Sequence, residues 1–507
     1  METMKDENSF LISGNLTVHY FVVLLATAVL YIVSCAPGPL WQDSGRYQYR
    51  IWHSDIEGKL GLALSHPLYH IIGIGAKHLP IGEFGYRVNL ISAVAGAFAV
   101  ANLFLLVHLW VGKNLPAVLA AITLALSWTM WQSASIAEVY TLYCALFLAE
   151  LIMLLQYIKT KRVGFLYLLG VFNGLAIANH MWGVIALFCY LVFLAVLLAQ
   201  KQIGLKHFGT IVLLWVLGAA PYEYLIVKNA VQSGDFAATL RSAFFGNSWQ
   251  GAVLSTSVSA TILRENLIFM AYNFPTPNVV FFFVGLHRLR NVSPTGGFKN
   301  VLLALLILFF VFAFRYTVPD RYAFFIPFYC LVCILIGVGV SVSVYGRRHK
   351  ALTYLVFALT LLPVPVYFVA PIVAERTDFR LPTKRDITYR NDYVWFLRPW
   401  RSGYRGPEQF ADEVFRTVEL NAIVYADGTT MYPLLYAQEI QDRRRDIRIV
   451  SFSPDRENPV VFNEQTVGQL LEETSVYVVS PVPGYCPGFL LEQYEFEQAG
   501  VIWKVTD

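Results

Sequence analysis

The sequence predicts a polytopic α-helical membrane protein with a small C-terminal α/β extracytoplasmic domain, on three observations. Hydrophobic residues make up 56% of the 507 and charged residues only 14%, where soluble domains carry about a quarter charged residues. Apolar runs of about 20 residues, the length a helix needs to cross a hydrocarbon core about 30 Å thick, recur as far as residue 374. From residue 375 onward the composition becomes that of a soluble domain, so the boundary is set at 1–374 and 375–507. The net charge of +4 is small and the basic residues are dispersed, which indicates no nucleic-acid partner.

Taken in order, the N-terminus has Lys5 against Glu2, Asp6 and Glu7, a poor leader, so the first apolar run is expected to be retained as a span. About eleven spans follow from length and hydropathy: 17–36, 89–111, 115–132, 140–158, 164–180, 182–200, 209–227, 266–286, 301–315, 322–345 and 351–374. Of six cysteines, Cys35, Cys144, Cys189, Cys330 and Cys333 lie in apolar runs and read as small hydrophobes, with Cys486 outside them. No disulfide framework is implied.

Lysine and arginine fix the orientation. Lys113, then Lys159, Lys161 and Arg162, then Lys201 and Lys206, then Arg288 and Arg290, then Arg347, Arg348 and Lys350 all fall in loops on one side. The N-terminus is therefore expected in the cytoplasm. An odd number of spans puts the C-terminus outside, together with the long loop 37–88, Glu138, the Asn179-His180 turn and Asp320-Arg321.

In the C-terminal part, GPEQFADEVFRTVE reads as an amphipathic helix. AIVYA, DIRIVSF and SVYVVS read as strands, with a helix from TTMYPLLYAQEIQDRR between the first two. That is a β-α-β pattern, in which the Asp427-Gly428 turn ends the first strand, a place where such sheets hold ligands.

Ionisable residues in or beside spans are functional candidates, since each costs roughly 3 kcal/mol at mid-bilayer. By position alone Asp43, in WQDSGRY, reads as a solvated loop acid with Arg46 as its partner. Glu138 begins the fourth span, where an acid also suits a helix N-terminus. His66 precedes a proline, with Tyr69 and His70 beyond it, and His180 interrupts an apolar stretch at a short turn. These histidines with Asp43 and Glu138 are metal-ligand types, but no HExxH-like spacing is present and no metal is indicated. Asp320-Arg321 introduces the tenth span, where a guanidinium can pair with its neighbour or a lipid phosphate. Lys77, Arg87, Arg264 and Arg315 are further cations on the outer side. Trp41, Tyr47, Trp52, Trp128, Trp131, Trp182 and Trp249 are either interfacial belt residues or sugar-stacking ones.

In WQDSGRY, LSHPLYHIIGIGAKHLP with YRVNLISAVAGA, AEVYTLYCALFLAELIML, GLAIANHMWG, APYEYL, DRYAFFIPFYCLVCILIGVG and AIVYADGTTMYPLLYAQEIQDRRRDIRIV, the chain resembles the GT-C superfamily of membrane glycosyltransferases. Within it the chain is similar to the bacterial family that is like the animal transmembrane protein O-mannosyltransferase. One departure is the short His66-Pro67-Leu68-Tyr69 segment, where the family often has a longer proline- and glycine-rich stretch.

The resemblance implies a lipid-linked sugar transferase without a cofactor, acting at the outer face of a bacterial inner membrane. It implies membrane lipids and a polyprenyl-phosphate sugar as partners, and an exported protein or a glycan as acceptor. Asp43 would be the catalytic base. Arg321 would bind the donor phosphate, with Arg46 or Arg87 as alternatives, and His66, Glu138, His180, Asp320 and Tyr69 would shape the pocket. Two other readings are a transferase acting on a lipid or polysaccharide and a non-catalytic assembly protein. A secondary transporter would be expected to show paired broken helices and mid-membrane charges in both halves.

Overall fold

The computed structural model describes residues 14–293, 296–318, 320–344, 350–381, 385–453 and 456–506. The N-terminal Glu2, Lys5, Asp6 and Glu7 and the loop arginines Arg347 and Arg348 lie outside them.

The expected spans have counterparts among these residues. α1 (Gly14–Ser34), α4 (Phe84–Val111), α7 (Tyr140–Thr160), α10 (Leu205–Ser233) and α15 (Gly297–Arg315) are long apolar helices. With a helical stretch that ends in α16 (Ile326–Ser343), and with α17 (Lys350–Thr360) running into α18 (Pro363–Arg376), they make 7 helices long and apolar enough to cross a membrane. α8 (Gly164–Asn179) and α9 (Gly183–Ala199) are apolar but shorter.

Two expected spans are broken. α5 (Asn114–Ala125) and α6 (Trp128–Ala134) meet at 65°, and α13 (Ala260–Asn273) turns by 105° into a second segment containing α14 (Val280–Arg288). Counted as single spans, these pairs raise the number to 9. Pro275 and Pro277 account for the second break, because proline cannot continue the helical ladder. The two breaks face each other: the Asn273 carboxamide oxygen accepts from the Thr129 backbone N–H (3.0 Å) and hydroxyl (2.8 Å), satisfying donors at a buried helix start.

Close helix crossings rest on glycine. A Cβ on Gly174 would meet the Trp215 carbonyl at 2.3 Å, and one on Gly285 would meet the Leu335 carbonyl at 2.0 Å. α8 against α10 and α14 against α16 therefore pack backbone to backbone, as membrane helices do through small residues.

The first loop folds into α2 (Gln42–Trp52) and α3 (Pro67–Ala76), and residues 236–254 supply α11 (Phe236–Phe245) and α12 (Gln250–Leu254). These short helices cover one end of the bundle.

The C-terminal part contains α19 (Asp392–Leu397), α20 (Gly406–Thr417), β1 (Ile423–Tyr425), α21 (Met431–Leu435), β2 (Arg448–Val450), α22 (Val467–Glu473), β3 (Val476–Val478), α23 (Gly488–Gln493), β4 (Glu495–Ala499) and β5 (Ile502–Thr506). The strand order is β2-β1-β3-β5-β4, parallel through β2, β1 and β3 and antiparallel beyond. The three strands read from sequence are the parallel ones. The β4–β5 hairpin is an addition, its β4 face mostly exposed.

The two layers share a core. Ala36, Leu40 and Trp41, from the turn after α1, are buried among Phe410, Val414 and Leu434 of the sheet domain.

Candidate active site

α2 starts where Pro37, Gly38 and Pro39 end the preceding helix, and Asp43 in its first turn suits the positive end of the helix dipole. Its buried face mixes the apolar Tyr47 and Ile51 with the polar Gln48 and Arg50. Gln48 accepts from the Leu40 N–H (3.2 Å) and donates to the Gly38 carbonyl (3.2 Å) and to Asn89 Oδ1 (3.1 Å). Arg50 pairs with Asp55 (3.3 Å) and donates to the Leu64 and Ser65 carbonyls. These two side chains tie α2 to α4 and to the loop before α3, which fixes the direction in which Asp43 points.

Asp43 stands at a junction of two cavities. One of about 460 Å³ is walled largely by apolar groups from α9, α11, α15 and the 316–324 segment, with Arg46, His66 and His180 on its polar edge. The other, about 120 Å³, is bordered by Ser44, Gln132, Ser133 and Glu138, with Trp395 and Phe396 from the sheet-domain side. Gln42, Asp43, Tyr140 and Asp320 border both. Asp43 is 60% exposed into this space, and Arg46, buried beside it, lies 3.7 Å away.

Two cavity residues hold left-handed backbone unusual for side-chain-bearing residues, Gln42 at φ 53° and His66 at φ 50°. Such conformations cost of order 1–3 kcal/mol and concentrate at functional sites. The His66 position is held by its Nδ1 contact with the Asn179 carbonyl (2.8 Å) and by stacking on the His180 ring (5.1 Å between centroids). His180 in turn lies 4.0 Å from the Trp182 ring, which stacks on Tyr140.

Charge at the site is unequal among its acids. Burial, followed by the Asp43 charge, pushes the Glu138 carboxyl well above its usual range. The same two causes raise Asp320 to about 7, opposed in part by a hydrogen bond from Tyr140. Burial pushes His66 down to about 3 and His180 well below its usual range, so both imidazoles stay neutral at pH 7. Asp43 is more open than either acid. Among the described residues no three His, Cys, Asp or Glu side chains converge as a metal would require.

Asp43, Arg46, His66, Glu138, His180 and Asp320 thus meet around the two cavities, although they come from α2, the loop before α3, the α6–α7 and α8–α9 turns and the 316–320 segment. Tyr69 stands behind them: its hydroxyl meets Ser92 Oγ at 3.1 Å, and that oxygen bonds both the Glu138 carbonyl and N–H. Arg321 borders neither cavity. It is paired with Glu265, donates to Asn266 Oδ1 (3.2 Å) and lies over the Phe269 ring. Arg87 donates to the Lys77 (2.5 Å) and Leu79 (3.0 Å) carbonyls, and Arg315 to the Val253 and Ser255 carbonyls. Among the described residues, Arg46 is the one cation named from sequence that reaches the large cavity.

Trp182 and Trp249 line the large cavity and Trp41 the small one, while Trp128 and Trp131 spend their indole N–H groups on the Phe396 carbonyl and Ser34 Oγ. Sequence reasoning missed Gln132 and Ser133, whose signal was polar side chains closing an apolar run. It also missed Trp395 and Phe396, which gave no signal. The Asp427-Gly428 turn holds the chain itself: Arg385 pairs with Asp427 (2.5 Å) and lies 3.7 Å over the Tyr485 ring.

Residues 61–203 match the family model described as the protein O-mannosyl-transferase TMEM260 N-terminal domain. Mouse protein O-mannosyl-transferase TMEM260 is 28% identical over 170 residues, 32% of this chain, and the match spans only 24% of that protein. The structure of ArnT from Cupriavidus metallidurans bound to undecaprenyl phosphate superposes with a TM-score of 0.62 at 15% identity, covering 97% of this chain and 98% of that one. The oligosaccharyltransferase AglB from Archaeoglobus fulgidus, in complex with an inhibitory peptide and a dolichol-phosphate, gives 0.50 at 14%, covering 92% and 70%. The chain therefore has the GT-C membrane fold, and over residues 61–203 it is similar in sequence to the N-terminal domain of the TMEM260 protein O-mannosyl-transferases.

Proposed function

We propose that the protein transfers a sugar from a polyprenyl-phosphate donor to an acceptor hydroxyl, with Asp43 as the base. The observation that carries this reading is the position of Asp43, a carboxylate open to both a large apolar cavity with a cationic edge and a small one lined by polar and aromatic groups together. The large cavity suits a lipid-linked donor, with its phosphate toward Arg46. The small cavity suits the acceptor, since Ser44, Gln132 and Ser133 offer it hydroxyl and amide groups beside the aromatic faces of Trp395 and Phe396.

In the proposed step the acceptor oxygen attacks the anomeric carbon as the bond from that carbon to the phosphate oxygen breaks. The acceptor proton passes to Asp43, and the polyprenyl phosphate leaves as an anion beside Arg46. One carboxylate suffices for such an inverting transfer, because the phosphate needs little protonation to leave, unlike the paired carboxyls of most glycosidases. Arg46 adds electrostatic stabilisation where charge develops.

The TMEM260 likeness favours mannose as the sugar and a protein hydroxyl as acceptor, and the GT-C fold favours a lipid-phosphate donor. We further propose residues 1–374 as the membrane unit and 375–507 as an extracytoplasmic domain, in a bacterial inner membrane with the N-terminus in the cytoplasm. The clustering of Lys113, Lys161, Lys201 and Arg288 at helix ends away from the site supports that orientation.

Purified protein given labelled polyprenyl-phosphate sugars and an acceptor peptide tests the reading. Asp43→Asn is expected to lower transfer by about 10²–10⁴, the usual value of a positioned base, while expression and insertion stay normal. Undiminished transfer by that variant would remove Asp43 as the base.

A further inference from the structure

The large cavity does not end the space between α9 and α15. A second cavity of about 490 Å³ lies farther along the same two helices, toward the end of the bundle opposite the sheet domain. The lining residues of α9 advance in steps of four: Val184 borders the first cavity, then Phe188, Val192 and Val196 border the second. On α15 the same step runs from Phe312, in the first cavity, through Leu308, Ala304 and Asn300 in the second. Residues four apart share one helix face, so each helix contributes one continuous stripe, and one turn separates the two cavities. Phe188, Val192, Val196 and Leu308 are exposed, which leaves the seam open at its side to the lipid.

Among the described lining residues the charged and amide side chains gather at the two ends, with the Cys189 thiol between them. Arg46, His66 and His180 lie at one. Lys161, Gln200, Gln202 and Asn300 lie at the other. α9 has 17 residues, about 25 Å at 1.5 Å per residue, which is most of a hydrocarbon core of about 30 Å.

We propose that this seam binds the isoprenoid tail of the donor along its length, and that the second cavity reads how long the tail is. The proposal rests on the transferase reading for the identity of the tail. A chain anchored by its phosphate beside Arg46 has an apolar path that continues from the first cavity, and only a long tail follows it far enough to fill the second. A short tail ends within the first cavity and gains nothing from the second.

The test is the binding of undecaprenyl phosphate and of farnesyl phosphate, neither carrying a sugar, to the detergent-solubilised full chain, measured by tryptophan fluorescence. Wild-type protein is expected to favour the longer lipid. Ala304→Trp, which fills the second cavity, is expected to weaken undecaprenyl phosphate by about tenfold, equivalent to losing the burial of about two methylene groups, and to leave farnesyl phosphate unchanged. Retained farnesyl phosphate binding shows that the variant is folded. Leu308→Trp, on the lipid-exposed rim, is a second filling variant with the same expected pattern.

Equal loss for both lipids, or no loss for either, would overturn the tail site. Length-selective binding in a protein that transfers no sugar would overturn the transferase reading and leave the seam as a polyprenyl-phosphate site.

Discussion

At the scale of single residues, the site depends on acids that share a sequence character but not an environment. Asp43, Glu138 and Asp320 each sit beside a span, and hydropathy ranks them alike. The fold leaves Asp43 open and encloses the other two, and that burial raises the proton affinity of Glu138 and Asp320. The consequence for Asp320 is a pH-dependent cost. Its folded value of about 7 exceeds the ordinary 3.8, so the folded state holds the proton more tightly than the unfolded one. Stability is therefore expected to fall as pH rises from about 3.8 to about 7. Asp320→Asn should have a higher Tm than the wild type at pH 8 and an equal contribution near pH 4, read by thermal unfolding in detergent. The histidines act in the opposite sense: burial keeps His66 neutral down to about pH 3. A pH–rate profile is accordingly expected to show no imidazole step between pH 5 and 8. The arginines make the same point. Sequence put Arg321 first, with Arg46 or Arg87 as alternatives, but Glu265 occupies Arg321 and carbonyl oxygens occupy Arg87, because pairing is a property of the neighbouring chain segments.

At the scale of elements, hydropathy located the helices well, since apolar length is a local property of the chain. It could not see the bends at 65° and 105°, where two apolar runs become broken pairs joined through Asn273 and Thr129. Nor did it reveal α2, a short polar helix whose buried face sets Gln48 and Arg50 beside Tyr47 and Ile51. That helix sets the position of Asp43, so its supports are expected to matter for function without touching the cavities. Gln48→Ala strips partners from the Leu40 N–H and from Asn89, each orphaned group costing about 1–3 kcal/mol. The expected result is a lower Tm together with reduced transfer, measured on the same preparation. Gly45 is a second support. A Cβ there would fall 2.3 Å from the Leu40 carbonyl and 2.8 Å from Tyr432 Cβ. Gly45→Ala is expected to cost about 1–3 kcal/mol by overpacking and to loosen α2 from α21, seen as faster cleavage of the first loop by protease.

At the scale of the whole molecule, the sheet domain and the membrane bundle are joined at the loop that carries Asp43. Leu40 and Trp41 belong to the sheet domain's core, the Gln42 N–H donates to the Thr429 carbonyl (3.3 Å), Trp41 Nε1 donates to the Tyr404 hydroxyl (2.7 Å), and the Tyr436 hydroxyl accepts from the Gly85 N–H (2.8 Å). Asp43 is thus held from both sides, and damage to the sheet domain should reach it. Leu40→Ala, at a fully buried position outside both cavities, is expected to cost about 2–5 kcal/mol. It should lower transfer through a displaced α2, with donor binding retained, as checked by comparing kcat with KM for the donor. By itself the sequence determined the membrane class, the approximate spans, the parallel strands of the sheet and the common face of the candidate acids. Each of these follows from composition and periodicity within a short window. Only the tertiary structure decided which acid stays open, which arginine reaches the cavity, and that the sheet domain grips the loop of Asp43. Those outcomes depend on burial and contact between residues hundreds of positions apart, which no local pattern encodes.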